Sequence, residues 1–194
     1  MMKKTNIILA SQSPARKKLL NSIKLSFTVI PPKVDEELYK KKIKDPKTLC
    51  QTLARMKVES IRKTNFWVIG SDQIAYLNGQ VLGKPGNKQK AIETLTLLQG
   101  KTHQLMTAFC LQKPDNSYFE ELVISHMSMR TLNQKQIEFY LNQDKPYGCA
   151  GSYTIEKRGI SLFEKIDSPD FNAIIGLPLI SLCSQLKLWN PETI

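Results

Sequence analysis

Short apolar runs alternate along the chain with stretches of helical period. Ile7-Ile8-Leu9 and Ala10 predict a buried strand over 7–10, and Leu19-Leu20 mark the apolar stripe of a helix over 15–23. Residues 25–30 alternate as a second strand that stops at Pro31-Pro32. Leu49, Leu53, Met56 or Lys57, and Ile61 recur at helical spacing over 46–63. Phe66-Trp67-Val68-Ile69 is apolar throughout and suits a central strand, and 74–82 reads as a hairpin around Asn78-Gly79.

The second half continues the alternation. A helix is predicted over 88–98 with Gly100 at its C-terminal end. Long strands follow at 104–112 and 118–130, then a helix at 133–142, a strand at 161–166 and a last helix at 178–188. Such mixing predicts an α/β fold, a mixed and largely twisted central sheet flanked by helices. Without repeats or a long linker, 1–194 is expected to be one domain, with frayed ends at 190–194.

Composition narrows the function classes. No apolar run approaches the roughly 18 residues that span a membrane, and the stretch after Met1-Met2-Lys3-Lys4-Thr5 is too short for a signal peptide. Cys50, Cys110, Cys149 and Cys183 form no Cys-x-x-Cys pair and read as small buried side chains in a reducing cytoplasm. The net charge is +11, but of 28 cationic residues only Arg16, Arg55, Arg62, Arg130 and Arg158 are arginine. The rest are dispersed lysines without interleaved aromatics. That argues against a stable nucleic-acid partner and for a solvated surface that favours small polyanions.

Three patches carry candidate chemistry. After the first strand, Ser11-Gln12-Ser13-Pro14-Ala15-Arg16-Lys17 opens a helix, with Ser13 as N-cap and Pro14 at the first helical position. Free amide groups there, with Arg16 and Lys17, read as an anion site or as only a well-capped turn with cations at an unfavourable helix end. In Gly70-Ser71-Asp72-Gln73, Asp72 stands at the carboxyl end of an apolar strand, where α/β sheets present ligand-contacting groups. It could hold a divalent metal, act as a general base, or simply form a turn. In Gly83-Lys84-Pro85, Lys84 is pinned for a phosphate contact, although by itself it reads as an ordinary solvated lysine. Asp35, Glu36 and Glu37 read as a solvated loop or as a source of a metal ligand. His103 and His126 lack partners at metal-ligand spacing, and His103 reads as structural.

Taken in order, these motifs resemble the Maf family of nucleoside triphosphate pyrophosphatases over nearly the whole chain. The matching segments are Leu9-Ala10-Ser11 with Ser13-Pro14 and Arg16; Val34-Asp35-Glu36; Leu53-Ala54 with Lys57; and Gly70-Ser71-Asp72-Gln73. Gly83-Lys84-Pro85 follows, then Gly100-Lys101 with His103 and Thr107, Cys149-Ala150-Gly151-Ser152, and Gly176-Leu177-Pro178-Leu179. The resemblance implies two lobes around a nucleotide cleft and hydrolysis of a nucleoside triphosphate between its α and β phosphates. It also implies a divalent cation (Mg, Mn or Co) and a homodimer. Ser11, Arg16, Lys57 and Lys84 would hold the triphosphate. Asp72 would activate water, and Glu36, or else Asp35 or Glu37, would join it at the metal.

Two branches of the family differ near the base. Ala15, Gln73 and Glu156 occupy the distinguishing places, and Gln73 and Glu156 match the branch acting on 7-methyl-GTP. A carboxylate at 156 can accept from both donors of the guanine edge, although it could equally be a surface charge beside Lys157 and Arg158. Ala15 departs from the aromatic residue of that branch and cannot stack on a cationic base. The alternatives are the same reaction on dTTP, UTP or CTP, or a nucleotide-binding regulator of cell division. The presence of both Asp72 and Lys84 argues against a binder without catalysis.

Overall fold

The computed structural model describes residues 6–61 and 63–188. Seven strands form a sheet of order β2-β1-β3-β5-β6-β7, with β4 paired to β3. β1 (Ile7–Leu9) runs parallel to both β2 (Thr28–Val29) and β3 (Trp67–Leu77). β4 (Gln80–Leu82) folds back antiparallel on β3 through Asn78-Gly79, both at positive φ, as the turn residues predict. β5 (Thr102–Gln112) and β6 (Tyr118–Met129) are the long strands, and β7 (Phe163–Asp167) pairs antiparallel with β6.

The chain forms two compact units. The first holds residues up to Asp72, Thr107–Val123 and the part from Asp170 onward; the second holds Gln73–Met106 and Ile124–Pro169. In the first, α1 (Pro14–Ser22) and α7 (Leu179–Leu186) lay Leu19, Leu20, Leu182 and Leu186 against Ile7, Leu9, Ile69 and Phe109 of the strands. α2 (Glu36–Lys42) and α3 (Pro46–Glu59) pack on one another, as do α1 and the short α6 (Phe171–Ile175). In the second, α4 (Lys88–Leu98) packs on α5 (Gln134–Asp144); their buried faces include Ala91, Leu95, Ile137 and Leu141.

Side-chain caps set where most helices begin. Ser13 Oγ accepts from the Arg16 amide at 3.4 Å and α1 starts at Pro14, the first helical position that the motif predicts and one residue before the helical period alone suggests. Asp45 caps α3, Asn87 caps α4, and Asn133 with Gln136 forms a reciprocal capping box on α5.

Several expectations are corrected. Residues 35–42 are not a loop: Asp35 caps α2, Glu36 and Glu37 occupy its first turn, and Lys40–Lys42 its last. That charge order complements the helix dipole even though no residue of α2 is buried. The second strand shrinks from 25–30 to two residues, because Leu25 is buried in the core and its amide bonds back to Leu20 O. The third helix ends at Glu59 rather than 63. The strand expected at 161–166 begins only at Phe163, after a 3₁₀ segment, Arg158–Leu162. A second 3₁₀ turn, Ala150–Ser152, and α6 were not foreseen. Residues 190–194, expected to fray, lie outside the described residues.

The correction that matters most is β3. The segments expected as a strand and a separate hairpin are one 11-residue strand, so Asp72 lies inside it rather than at its end. Pairing with β1 nevertheless stops at Ile69, because β1 ends at Leu9. Asp72 thus stands three residues past the carboxyl end of that parallel pair. No described helix is long and apolar enough to cross a membrane.

Candidate active site

Asp72 and Lys57 meet in the first unit. Lys57, in the last turn of α3, places Nζ 2.5 Å from Asp72 Oδ1 and 2.9 Å from Glu36 Oε1 at the start of α2. The Lys57 and Asp72 side chains are only 9% and 11% exposed, against 35% for Glu36. One ammonium therefore holds two carboxylates whose charges would otherwise repel at close range. Glycine at 70 permits this: a Cβ there would lie 2.6 Å from both Ala54 O and Val58 Cγ2, so α3 lies close upon β3.

Ser11 and Arg16 form the neighbouring group. Ser11 Oγ accepts from the Ser13 amide at 3.1 Å and from Arg16 Nη1 at 3.4 Å. Arg16 Nε donates to Gly176 O at 2.8 Å. Burial lowers the Arg16 guanidinium from its ordinary pKa, while the charges of Asp72 and Glu36 oppose that fall. The expected cradle of free amides is largely used up: the Ser13 amide goes to Ser11 Oγ, the Arg16 amide to Ser13 Oγ and the Lys17 amide to Ser13 O, and Pro14 has no N–H. The cationic side chain, rather than the bare helix terminus, is the stronger anion donor here. Ala15 is half-buried in the first turn of α1, and Lys17 is exposed.

The second unit carries the other candidates. Gln73 follows Asp72 along β3 and is half-buried, whereas Lys84 and Glu156 are exposed. Cys149 lies within electrostatic range of both. Burial raises its thiol pKa, Glu156 raises it further, and Lys84 and Lys157 pull it down. His103 is structural, as expected: its buried ring meets Tyr153 OH at 2.9 Å and packs beside Phe163.

The cysteines form no disulfide, with Cys50 and Cys110 buried but Cys149 and Cys183 only partly so. Burial pushes Cys50 and Cys110 up to about 12, which keeps them as inert thiols. Cys50 Sγ donates to Asp72 O at 3.4 Å.

Sequence reasoning grouped Ser11 with Arg16 and Asp72 with Glu36, and the first unit brings both pairs together. It assigned Lys57 to phosphate; in the structure Lys57 rests on carboxylates. It missed Ser71 and the Gly176 carbonyl as neighbours of Arg16, although both stand in motifs already singled out.

A family model described as Maf-like protein matches residues 6–189. The chain belongs to the Maf family. A protein described as 7-methyl-GTP pyrophosphatase from Bdellovibrio bacteriovorus is 43% identical over 183 residues, covering 93% of this chain and 95% of the relative. One of the same description from Pseudoalteromonas atlantica is 41% identical over 183 residues and covers 93% of each. The solved Staphylococcus aureus Ham1 protein aligns with a TM-score of 0.48 at 16% identity, over 96% of this chain and 100% of that one. The Maf match takes in every candidate residue named above.

Proposed function

We propose that this Maf-family chain is a nucleoside triphosphate pyrophosphatase that cleaves 7-methyl-GTP to 7-methyl-GMP and pyrophosphate, removing a modified nucleotide. The observation that carries the reading is the buried Asp72–Lys57 pair met by the half-buried Glu36, with Arg16 in electrostatic range of both carboxylates. Acid and cation stand side by side, as phosphoanhydride hydrolysis at an anionic substrate requires. Relatives described as 7-methyl-GTP pyrophosphatases at about 40% identity support the choice of substrate.

In this reading Asp72 accepts the proton of a water aimed at the α phosphorus. Arg16 and Ser11 bind the phosphates, and Lys84 adds a second cationic contact. Lys57 exchanges a carboxylate for a phosphoryl oxygen when substrate arrives. Two carboxylates converging on one cationic point also fit a divalent metal. No group of three His, Cys, Asp or Glu side chains able to hold a metal occurs among the described residues, so water and substrate oxygens would have to complete the shell. Asp72 and Glu36 would hold magnesium, manganese or cobalt, whose chemistry is charge neutralisation on the phosphoryl oxygens. Gln73 and Glu156 read the base. A homodimer in the cytoplasm completes the proposal, its oligomeric part checked by analytical ultracentrifugation.

The test is pyrophosphate release from 7-methyl-GTP, GTP, UTP, dTTP and CTP with each metal. A preference for 7-methyl-GTP is expected. A preference for a pyrimidine triphosphate would overturn the substrate, and no release from any of them would overturn the activity.

A further inference from the structure

Arg16 is aimed by a neutral acceptor. Its Nε donates to Gly176 O at 2.8 Å, and the same oxygen accepts from Ser71 Oγ at 2.8 Å. Ser71 is fully buried on β3 next to Asp72, and its single hydroxyl proton is shared with Ala108 O, also at 2.8 Å. A carboxylate in the place of Gly176 O would orient Arg16 but cancel its charge. A carbonyl orients the fork and leaves that charge, with the remaining N–H donors, for an anion.

The segment bearing this carbonyl is held from several sides. Asp170, itself buried, accepts from the Asn172 amide through Oδ1 and from the Ile180 amide through Oδ2, each at 2.8 Å. Thr107 Oγ1 donates to Ala173 O at 2.8 Å. Gly176 itself has φ +131°, a conformation that side-chain-bearing residues rarely adopt, and a Cβ there would come 3.4 Å from Arg16 Nε. These bonds cross-link α6 and the start of α7 to β5, which limits how far the carbonyl can move.

We propose that Ser71 and Gly176 are positioning residues that act through Arg16, setting its grip on the phosphates before substrate arrives. The inference rests on Arg16 being a phosphate contact, as read above. Fixing a long, rotamer-rich side chain beforehand spares that ordering cost at the moment of binding.

The experiment is a double-mutant cycle on the full chain, reading inorganic pyrophosphate affinity by calorimetry at fixed magnesium, and kcat and KM separately. Arg16→Ala should weaken pyrophosphate roughly 10- to 150-fold, as expected for a lost charge-assisted bond. Ser71→Ala should weaken it roughly 2- to 12-fold in the wild-type background and not at all beside Arg16→Ala. Ser71→Cys, which keeps a weaker donor in nearly the same volume, supplies the same test should Ser71→Ala fail to fold. Equal losses in both backgrounds would make Ser71 a stability residue only and overturn this proposal alone. Normal affinity and turnover in Arg16→Ala would overturn the phosphate role of Arg16 and this proposal with it.

Discussion

Lys57 Nζ lies 2.5 Å from Asp72 Oδ1, joining the last turn of α3 to the part of β3 that runs past the end of β1. The same ammonium takes Glu36 of α2 at 2.9 Å. Three elements that are separate in sequence thus share one charge cluster, buried at Lys57 and Asp72 and half-open at Glu36, and the proposed chemistry depends on it.

Asp72→Asn keeps the shape and an oxygen acceptor for Lys57 but removes the charge and the proton acceptor. Turnover is expected to fall at least ~100-fold, with a cooperative thermal transition retained. Near-normal pyrophosphate release at saturating metal would exclude Asp72 as the base.

Lys57→Met leaves Asp72 and Glu36 facing each other without a counter-charge. Urea unfolding should show a loss of about 3 kcal/mol, the scale for breaking a largely buried pair. Manganese should restore more stability to the variant than it adds to wild type, because the cation replaces the lost ammonium. Identical responses in the two proteins would argue against metal binding by this pair.

Gly70→Ala tests the close approach that makes the pair possible, since the added Cβ meets the α3 backbone at 2.6 Å. Overpacking of this kind costs about 1–3 kcal/mol, and turnover should fall as α3 is displaced. A variant as stable and active as wild type would show that the contact is soft.

Glu156→Gln puts a donor where the guanine edge also donates. Hydrolysis of 7-methyl-GTP should fall roughly 5- to 150-fold while UTP is spared. Ala15→Trp should favour the methylated base over GTP through cation–π stacking. An unchanged ranking of 7-methyl-GTP, GTP and UTP in both variants would remove residues 15 and 156 from base recognition.

His103 predicts a pH dependence of stability. Burial lowers its imidazole to about 4, against ~6.5 in the unfolded chain. Below pH ~6.5 the unfolded chain binds a proton that the folded one refuses. Stability is therefore full above that pH and declines as pH falls toward 4, by at most about 3 kcal/mol. His103→Phe should flatten this slope in urea titrations between those limits. Parallel slopes in wild type and variant would show that His103 is protonated normally in the fold.

Much of the architecture was legible because it is local. The Ser13-Pro14 cap, the Asn78-Gly79 turn and the apolar periodicity of α3, α4 and α5 act over a few residues, and each element formed within a few positions of its expected bounds. α2 was missed although Asp35 and the charge order that cap it are equally local; without an apolar face it left no periodic signal.

The sequence by itself determined the α/β alternation and the Ser13-Pro14 start of α1, and its ordered motifs pointed to Ser11, Arg16, Glu36, Lys57 and Asp72 as the site. Only the tertiary structure decided what each of these touches. Lys57 rests on two carboxylates because the bare Cα of Gly70 lets α3 settle on β3. Arg16 turns to Gly176, 160 positions away, because Ser71, Thr107 and Asp170 hold that carbonyl in place. Propensities and caps are short-range energies and act along the chain. Partners such as these are chosen when burial forces distant polar groups to satisfy one another, which no local pattern records.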